Sequence, residues 1–290
     1  MFRLTKNPIF KATAALPIIR RIIDDANRRL ADASQGLVFN ADEHRYYLGG
    51  REMRSVSSIV EHFAPFDALA TARRCAVNPK HEHFGKQPEE IVAIWDAAGR
   101  EAADAGTKLH AFGEACELYL ADREDEIEPQ FRDRITEDGF VATNPKEEAA
   151  ARWWMEQPWD NLVVVAKESR VVNPILGYAG TFDLLLYDIA RQGFALKDYK
   201  TNKDLHRWFG DYLLPPLKMI RNNDIGKYTV QQTLYTMQLW NIGINVISDD
   251  LVWLCDAKDC GVYEEVPIDL KYHKVINWAV SQLNSINKNY

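Results

Sequence analysis

Between Leu162 and Thr201 the chain carries three β-rich runs in close succession, LVVVAKESRVVN, YAGTFDLLLYD and GFALKDYKT, joined by short turn-forming segments. Valine, leucine and aromatic residues at this density, bounded by Asn, Pro and Gly, read as three strands of one sheet. Helical patterns precede this meander, and a helix with further strands follows it. That order predicts a mixed α/β (α+β) architecture, a central mixed β-sheet flanked by helices.

The remaining elements follow from periodicity and punctuation. LPIIRRIIDDANRRLADA reads as a helix with Ile18, Ile19, Ile22 and Ile23 on its apolar face and Arg20, Arg21, Arg28 and Arg29 on a solvated one. LVFN and RYYLGG read as a strand pair closed by Gly49 and Gly50. SVSSIVEHF opens a helix, with Ser58 and Glu61 in capping-box spacing. The stretch from Ala64 to Glu90 is irregular or short-helical, with basic residues and histidines suited to lining a groove. Ile91 to Leu120 is helical with a break expected near Gly106, and QFRDRITEDGF and PKEEAAARWWMEQ are further helices. After a loop containing Pro215 and Pro216 come the helix KYTVQQTLYTMQLWNIG, the strands DLVWLCD and GVYEEVPID, and a closing helix. Residues 1–54 read as an N-terminal helix and β-hairpin extension, and residues 55–290 as the core domain.

Composition narrows the function classes. A chain of 290 residues that is 47% hydrophobic can bury a large core. Its net charge of -7 excludes a uniformly basic surface, so a polyanionic partner would have to meet a local basic groove or a bound metal. Cys75, Cys116, Cys255 and Cys260 show neither regular spacing nor a CxxC, which points to a reducing compartment. No apolar run reaches 18 residues, and Pro8, Lys11 and Pro17 interrupt the apolar N-terminus, so neither a membrane span nor a secretory signal is expected and the location expected is intracellular, cytoplasmic.

Charges inside the meander need a reason. Asp198 and Lys200 lie two apart on one strand and share a face, and the turn YDIARQG lets Asp183 come close to Asp198 from the neighbouring strand. Two carboxylates that close repel each other unless a cation lies between them. Either the three face solvent at an edge hairpin, or they hold a divalent ion such as Mg²⁺, which suits carboxylates that leave room for water and phosphate. Further residues weigh on the choice. His110 and Glu114 share one helix face, opposite Leu109, Phe112, Cys116 and Leu120 as core. Gln231 and Tyr235 share a helical face with Tyr228 and Gln238, and Glu168 one strand before Asp183 can orient a ligand or Lys200.

Taken together, G-T-x-x-H at Gly106 to His110, G-T-x-D at Gly180 to Asp183, D-x-K-T at Asp198 to Thr201 and Q-x-x-x-Y at Gln231 to Tyr235 resemble the motif series of the RecB-like branch of the PD-(D/E)XK nucleases, of the stand-alone kind found in phages and in mitochondrial genome maintenance. The resemblance covers Ser55 to the C-terminus. It implies a restriction-endonuclease-like core with Mg²⁺ or Mn²⁺ held by His110, Asp183, Asp198 and the Tyr199 carbonyl, and Glu114 available to a second ion. It further implies that Asp183, Asp198 and Lys200 are catalytic, with Lys200 positioning or helping to deprotonate the attacking water. Gln231, Tyr235, Thr107 and Thr201 would hold the DNA backbone, and Glu168 would support the ligands. Some relatives carry an iron–sulfur cluster on one upstream and three downstream cysteines; only Cys255 and Cys260 lie downstream of the Gln231 helix, so no cluster is expected. The function implied is a metal-dependent DNA exonuclease acting in recombination, repair or end processing. Its partners would be DNA ends, single- or double-stranded, and recombination or replication proteins. The alternatives are a structure-specific endonuclease and a catalytically silent module that binds DNA ends or a protein.

Overall fold

The computed structural model describes residues 2–41, 43–255 and 261–286. After β1 (Arg3–Leu4), the helices α1 (Pro8–Ala15) and α2 (Pro17–Ala33) each begin on proline. At that position the missing N–H has no intrahelical partner to lose. The expected hairpin is β2 (Leu37–Asn40) and β3 (Arg45–Leu48), paired Val38 to Tyr47. A third strand, β4 (Arg51–Ser55), extends it, and Ser55 rather than Ser58 caps the helix α3 (Val56–Phe63): Ser55 Oγ accepts the Ser58 N–H at 3.0 Å. The charged sequence REMRS masks this strand, because only Met53 is buried along it.

α4 (Ala68–Val77) leads to α5 (Pro88–Leu120), which runs unbroken through Gly106. One glycine costs a helix about 1 kcal/mol, which α5 offsets by burying Leu109, Phe112, Cys116 and Leu120 in the core. The expected helix QFRDRITEDGF is instead one turn, α6 (Pro129–Arg132), followed by the short strands β5 (Ile135–Thr136) and β6 (Gly139–Val141). Gly139 has φ 134° and passes so close to Leu4 that a Cβ there would lie 2.5 Å from its carbonyl oxygen. α7 (Pro145–Glu156) starts at an Asn144 cap. The meander is β7 (Leu162–Asn173), β8 (Tyr178–Asp188) and β9 (Gly193–Lys200). Then come α8 (Asp224–Asn241), β10 (Val246–Cys255), β11 (Val262–Pro267) and α9 (His273–Ile286).

The main sheet is mixed and runs β11-β10-β9-β8-β4-β3-β2, with β7 also paired to β8; β9 with β10 and β4 with β8 are parallel. Helices cover both faces. Val56, Ile59, Val230, Leu234 and Ile276 pack with Phe182, Leu185 and Leu196 on one side, and Phe112, Trp153, Trp154 and Trp159 pack with Leu184, Leu186 and Tyr199 on the other. No helix among the described residues is long and apolar enough to cross a membrane.

Candidate metal and phosphoester site

The site lies where the sheet opens. β7 pairs with one edge of β8 along its full length, from Leu162↔Asp188 to Asn173↔Tyr178. β4 and β9 therefore share the other edge: β4 takes Tyr178 and Ala179, and β9 takes Leu184 to Asp188. Between them Gly180 to Asp183, the G-T-x-D segment, faces no strand on that edge. The β8–β9 ladder stops at Leu184↔Lys197, one residue short of Asp183 and Asp198, while β9 continues alongside β10 through Asp198↔Leu251 and Lys200↔Trp253. Alternation slips at the same place, since Phe182 packs in one core and Leu184, two residues on, in the other. A regular strand would put both on one face.

This opening brings the carboxylates inward. Asp183 Oδ2 accepts the Tyr199 N–H at 2.8 Å, replacing a backbone acceptor. His110, reaching in from α5, places Nε2 3.6 Å from Asp183 Oδ2 and Nδ1 3.2 Å from Glu168 Oε1. Glu168 stands between the paired Lys167 and Ser169 with φ 42°, a left-handed conformation uncommon for glutamate and absent from regular strands. His110, Glu168 and Asp183 each offer a ligand atom, and these lie within 4.8 Å of one another. Asp198 is 2% exposed, and its Oδ2 is in ion contact with Lys200 Nζ. Lys200 also stands 4.3 Å from the centre of the Tyr228 ring, and the Tyr228 hydroxyl donates to Asn202 Oδ1 at 2.8 Å.

The electrostatics follow from this crowding. Burial and the neighbouring Asp198 push the Asp183 carboxyl up to about 7, against the pull of His110 and Lys200. Burial disfavours the His110 imidazolium, but Asp183, Glu168 and Asp198 outweigh it and raise His110 to about 9. Burial likewise works against the Lys200 ammonium, which Asp198 and Asp183 hold well above the ordinary lysine range. Without a bound cation the site therefore gathers protons to offset its carboxylates. The imidazole of His110 and the carboxylates of Glu168 and Asp183, with ligand atoms within 4.8 Å of one another and the buried Asp198 on the neighbouring strand, fit a hard divalent ion such as Mg²⁺ or Mn²⁺.

The other sequence candidates fall at different depths. Thr107 and Glu114 line a pocket of ≈ 500 Å³ beside His110, together with Glu128 and Glu168. Burial raises the Glu114 carboxyl above its usual range, with Lys167 opposing. Thr201 is half-buried, and its carbonyl accepts from Lys146 Nζ at 3.0 Å. Gln231 is half-buried on α8, with Nε2 3.5 Å from the Tyr235 hydroxyl. Tyr235 itself is only 3% exposed: its ring lies against Gly180, where an added Cβ would come within 2.6 Å of Cε1. The glycine of one motif is thus the seat of the tyrosine of another, and the phenol reaches the site's surroundings through Gln231. Tyr199 sends its ring into the core, 5.7 Å from the His110 ring, and borders the site through its backbone. Cys116 is buried in that core, Cys255 ends β10, and Cys260 lies outside the described residues.

Tyr228 is legible in sequence only as part of the Gln231 and Tyr235 face, yet its ring stands beside Lys200. Nothing in the chain marks Asn202, which accepts the Tyr228 hydroxyl. Glu168 was visible as an acid in a valine-rich strand, but its standing level with Asp183 as a ligand donor depends on the distortion of β7.

No family model matches the sequence, and no curated protein matches it. Among solved structures, the chain is similar to the crystal structure of a candidate exonuclease from Eubacterium rectale, at 15% identity and a TM-score of 0.38, over 79% of this chain and 77% of that one.

Proposed function

We propose that this protein is a metal-dependent nuclease that hydrolyses phosphodiester bonds at DNA ends, of the RecB-like PD-(D/E)XK type. The observation that carries the reading is the opening of β8 from β9 at Asp183 and Asp198, which sets imidazole, carboxylates and a lysine around one gap instead of in a ladder. The reading is supported by the crowding itself, because carboxylates this close and this buried need cationic charge beside them, which Lys200 and His110 supply in part and a divalent ion would complete.

A divalent ion held by His110, Asp183, Asp198 and Glu168 would supply the positive charge that takes up negative charge developing on the phosphate. Asp183 is positioned by the Tyr199 N–H, and the Oδ2 that accepts it is also the oxygen 3.6 Å from His110 Nε2. Glu168 fixes the His110 ring through Nδ1 and leaves Nε2 as the ligating nitrogen. Lys200, held by Asp198 and firmly protonated, donates N–H groups to the attacking water or a phosphate oxygen and acts as a fixed charge rather than as a base. Gln231, steadied by Tyr235, offers its amide to the phosphate backbone. End processing in recombination or repair is the cellular role we infer.

The test is cleavage of end-labelled linear and covalently closed circular DNA with Mg²⁺, Mn²⁺ or EDTA, comparing the wild type with Asp198→Ala. Metal-dependent loss of linear DNA alone, abolished in the variant, is the expected result. Cutting of circles would make it an endonuclease, and no cleavage by folded, metal-loaded protein would reject the reading in favour of a silent binding module.

A further inference from the structure

Beyond the candidate metal site, the loop between β9 and α8 leaves the sheet directly after Lys200 and carries a second cluster of exposed side chains. Its tip exposes Trp208 (36%), Phe209 (74%) and Tyr212 (50%), while Leu205, Leu213, Leu217 and Ile220 anchor its base in the interior. The anchored base makes the tip a built surface. The Trp208 indole donates to the Asp211 carbonyl at 2.6 Å and lies edge-on to Tyr212, ring centres 5.5 Å apart. Tyr212 pairs with Arg221 in an isolated β-bridge, and Asp204 Oδ1 accepts the His206 and Arg207 N–H groups.

Cations are interleaved with these rings. The Arg221 guanidinium sits 4.6 Å from the Trp208 ring centre and that of Arg207 4.8 Å from Phe209, and neither pairs with a carboxylate among the described residues. Across residues 201–223 the four cations Lys203, Arg207, Lys218 and Arg221 face only Asp204 and Asp211, in a chain whose net charge is -7. Soluble proteins seldom expose clustered large aromatics without a binding role. Rings alternating with unpaired guanidinium groups fit the bases and phosphates of an unpaired strand, because every base offers a π-face and every linkage a charge. A duplex hides its bases from such a surface. The loop is also tied to the end of α3, where the Leu214 N–H donates to the Phe63 carbonyl at 2.7 Å.

We infer that the Arg207–Tyr212 tip with Arg221 is a stacking platform for single-stranded nucleic acid, delivering an unpaired end to the gap beside Lys200. This rests on the nuclease reading for its purpose but not for its test. Binding of dye-labelled oligothymidylate and of a blunt hairpin duplex is measured in EDTA by fluorescence anisotropy, for the wild type, a Trp208→Ala/Phe209→Ala double variant and Arg207→Ala. The expected result is preference of the wild type for the single strand, a loss of about tenfold or more in the aromatic double variant, and a loss with reduced salt dependence in Arg207→Ala. Duplex binding and the thermal midpoint should change little in either. Equal single-strand binding by wild type and double variant would overturn the platform, as would an equal loss on the duplex. Failure of the wild type to bind any DNA, with self-association or protein binding abolished by the same substitutions, would overturn it in favour of a protein interface. Because binding is read without metal, a platform that binds while the protein cleaves nothing would count against the nuclease reading alone.

Discussion

Asp183 Oδ2 accepts the Tyr199 N–H at 2.8 Å, so a side chain takes the place of a backbone acceptor where β8 parts from β9. The carboxylate thus closes the end of the ladder as well as facing His110. These roles are separable by substitution. Asp183→Asn keeps an oxygen acceptor for the amide and should fold with nearly wild-type stability while losing most Mn²⁺ affinity. Asp183→Ala leaves a buried N–H unsatisfied and should cost about 1–3 kcal/mol in addition. Urea unfolding and calorimetric Mn²⁺ titration of both variants check this; equal stability of the two would remove the structural role.

Metal uptake should be coupled to proton release. With His110 raised to about 9 and Asp183 to about 7, the metal-free site is protonated near neutral pH, and an ion must displace those protons. Affinity for Mn²⁺ should therefore rise as pH increases from about 6 to about 9, by up to about tenfold per unit for each proton displaced. Without metal the sign for stability is opposite. The folded state holds the His110 proton more tightly than the unfolded chain, a contribution present below about 6.5 and lost as pH rises through about 9. Titrations in buffers of different ionisation enthalpy count the protons; a pH-independent affinity would contradict the assignment.

Glu168 combines a backbone conformation disfavoured for a residue with a side chain, φ 42°, with a contact to His110 Nδ1. Such outliers persist where something else requires the side chain. Glu168→Gly should hold or raise stability, by up to about 1 kcal/mol, yet weaken metal binding by about 10–100-fold. Changes of the same sign in thermal midpoint and Mn²⁺ affinity would show that the glutamate is structural only.

Lys200 is the counter-charge of a buried Asp198, so Lys200→Ala should not weaken metal binding, because the site becomes more negative. Turnover should fall by about 10²–10³ if the ammonium stabilises the transition state. Single-turnover cleavage at saturating Mn²⁺ measures the loss, and an unchanged rate would take the lysine out of the chemistry.

Much of this was legible in the chain because it is local. The Val-, Leu- and aromatic-rich runs of β7, β8 and β9, joined by turn residues, announce a meander, the apolar stripe of α5 fixes which face His110 shares with Glu114, and the spacing of Asp198 and Lys200 places them on one side of a strand. What the chain hides is non-local. A charged strand such as β4 exists only because β3 and β8 accept it. Gly106 fails to break α5 because the turns that follow it, from Leu109 to Leu120, are held in the core, and QFRDRITEDGF gives one helical turn and then short strands because β1 is there to pair with β6. The site itself depends on two strands sharing one edge of β8: β4 and β9 each take a part, and the gap left between them turns Gly180 to Asp183 from ladder into cleft. Residue identity therefore determined which groups the site contains. Only the tertiary structure decided that Glu168 stands level with Asp183 and that Tyr235 is seated on Gly180, since strand divergence and ring packing are set by neighbours far away in sequence.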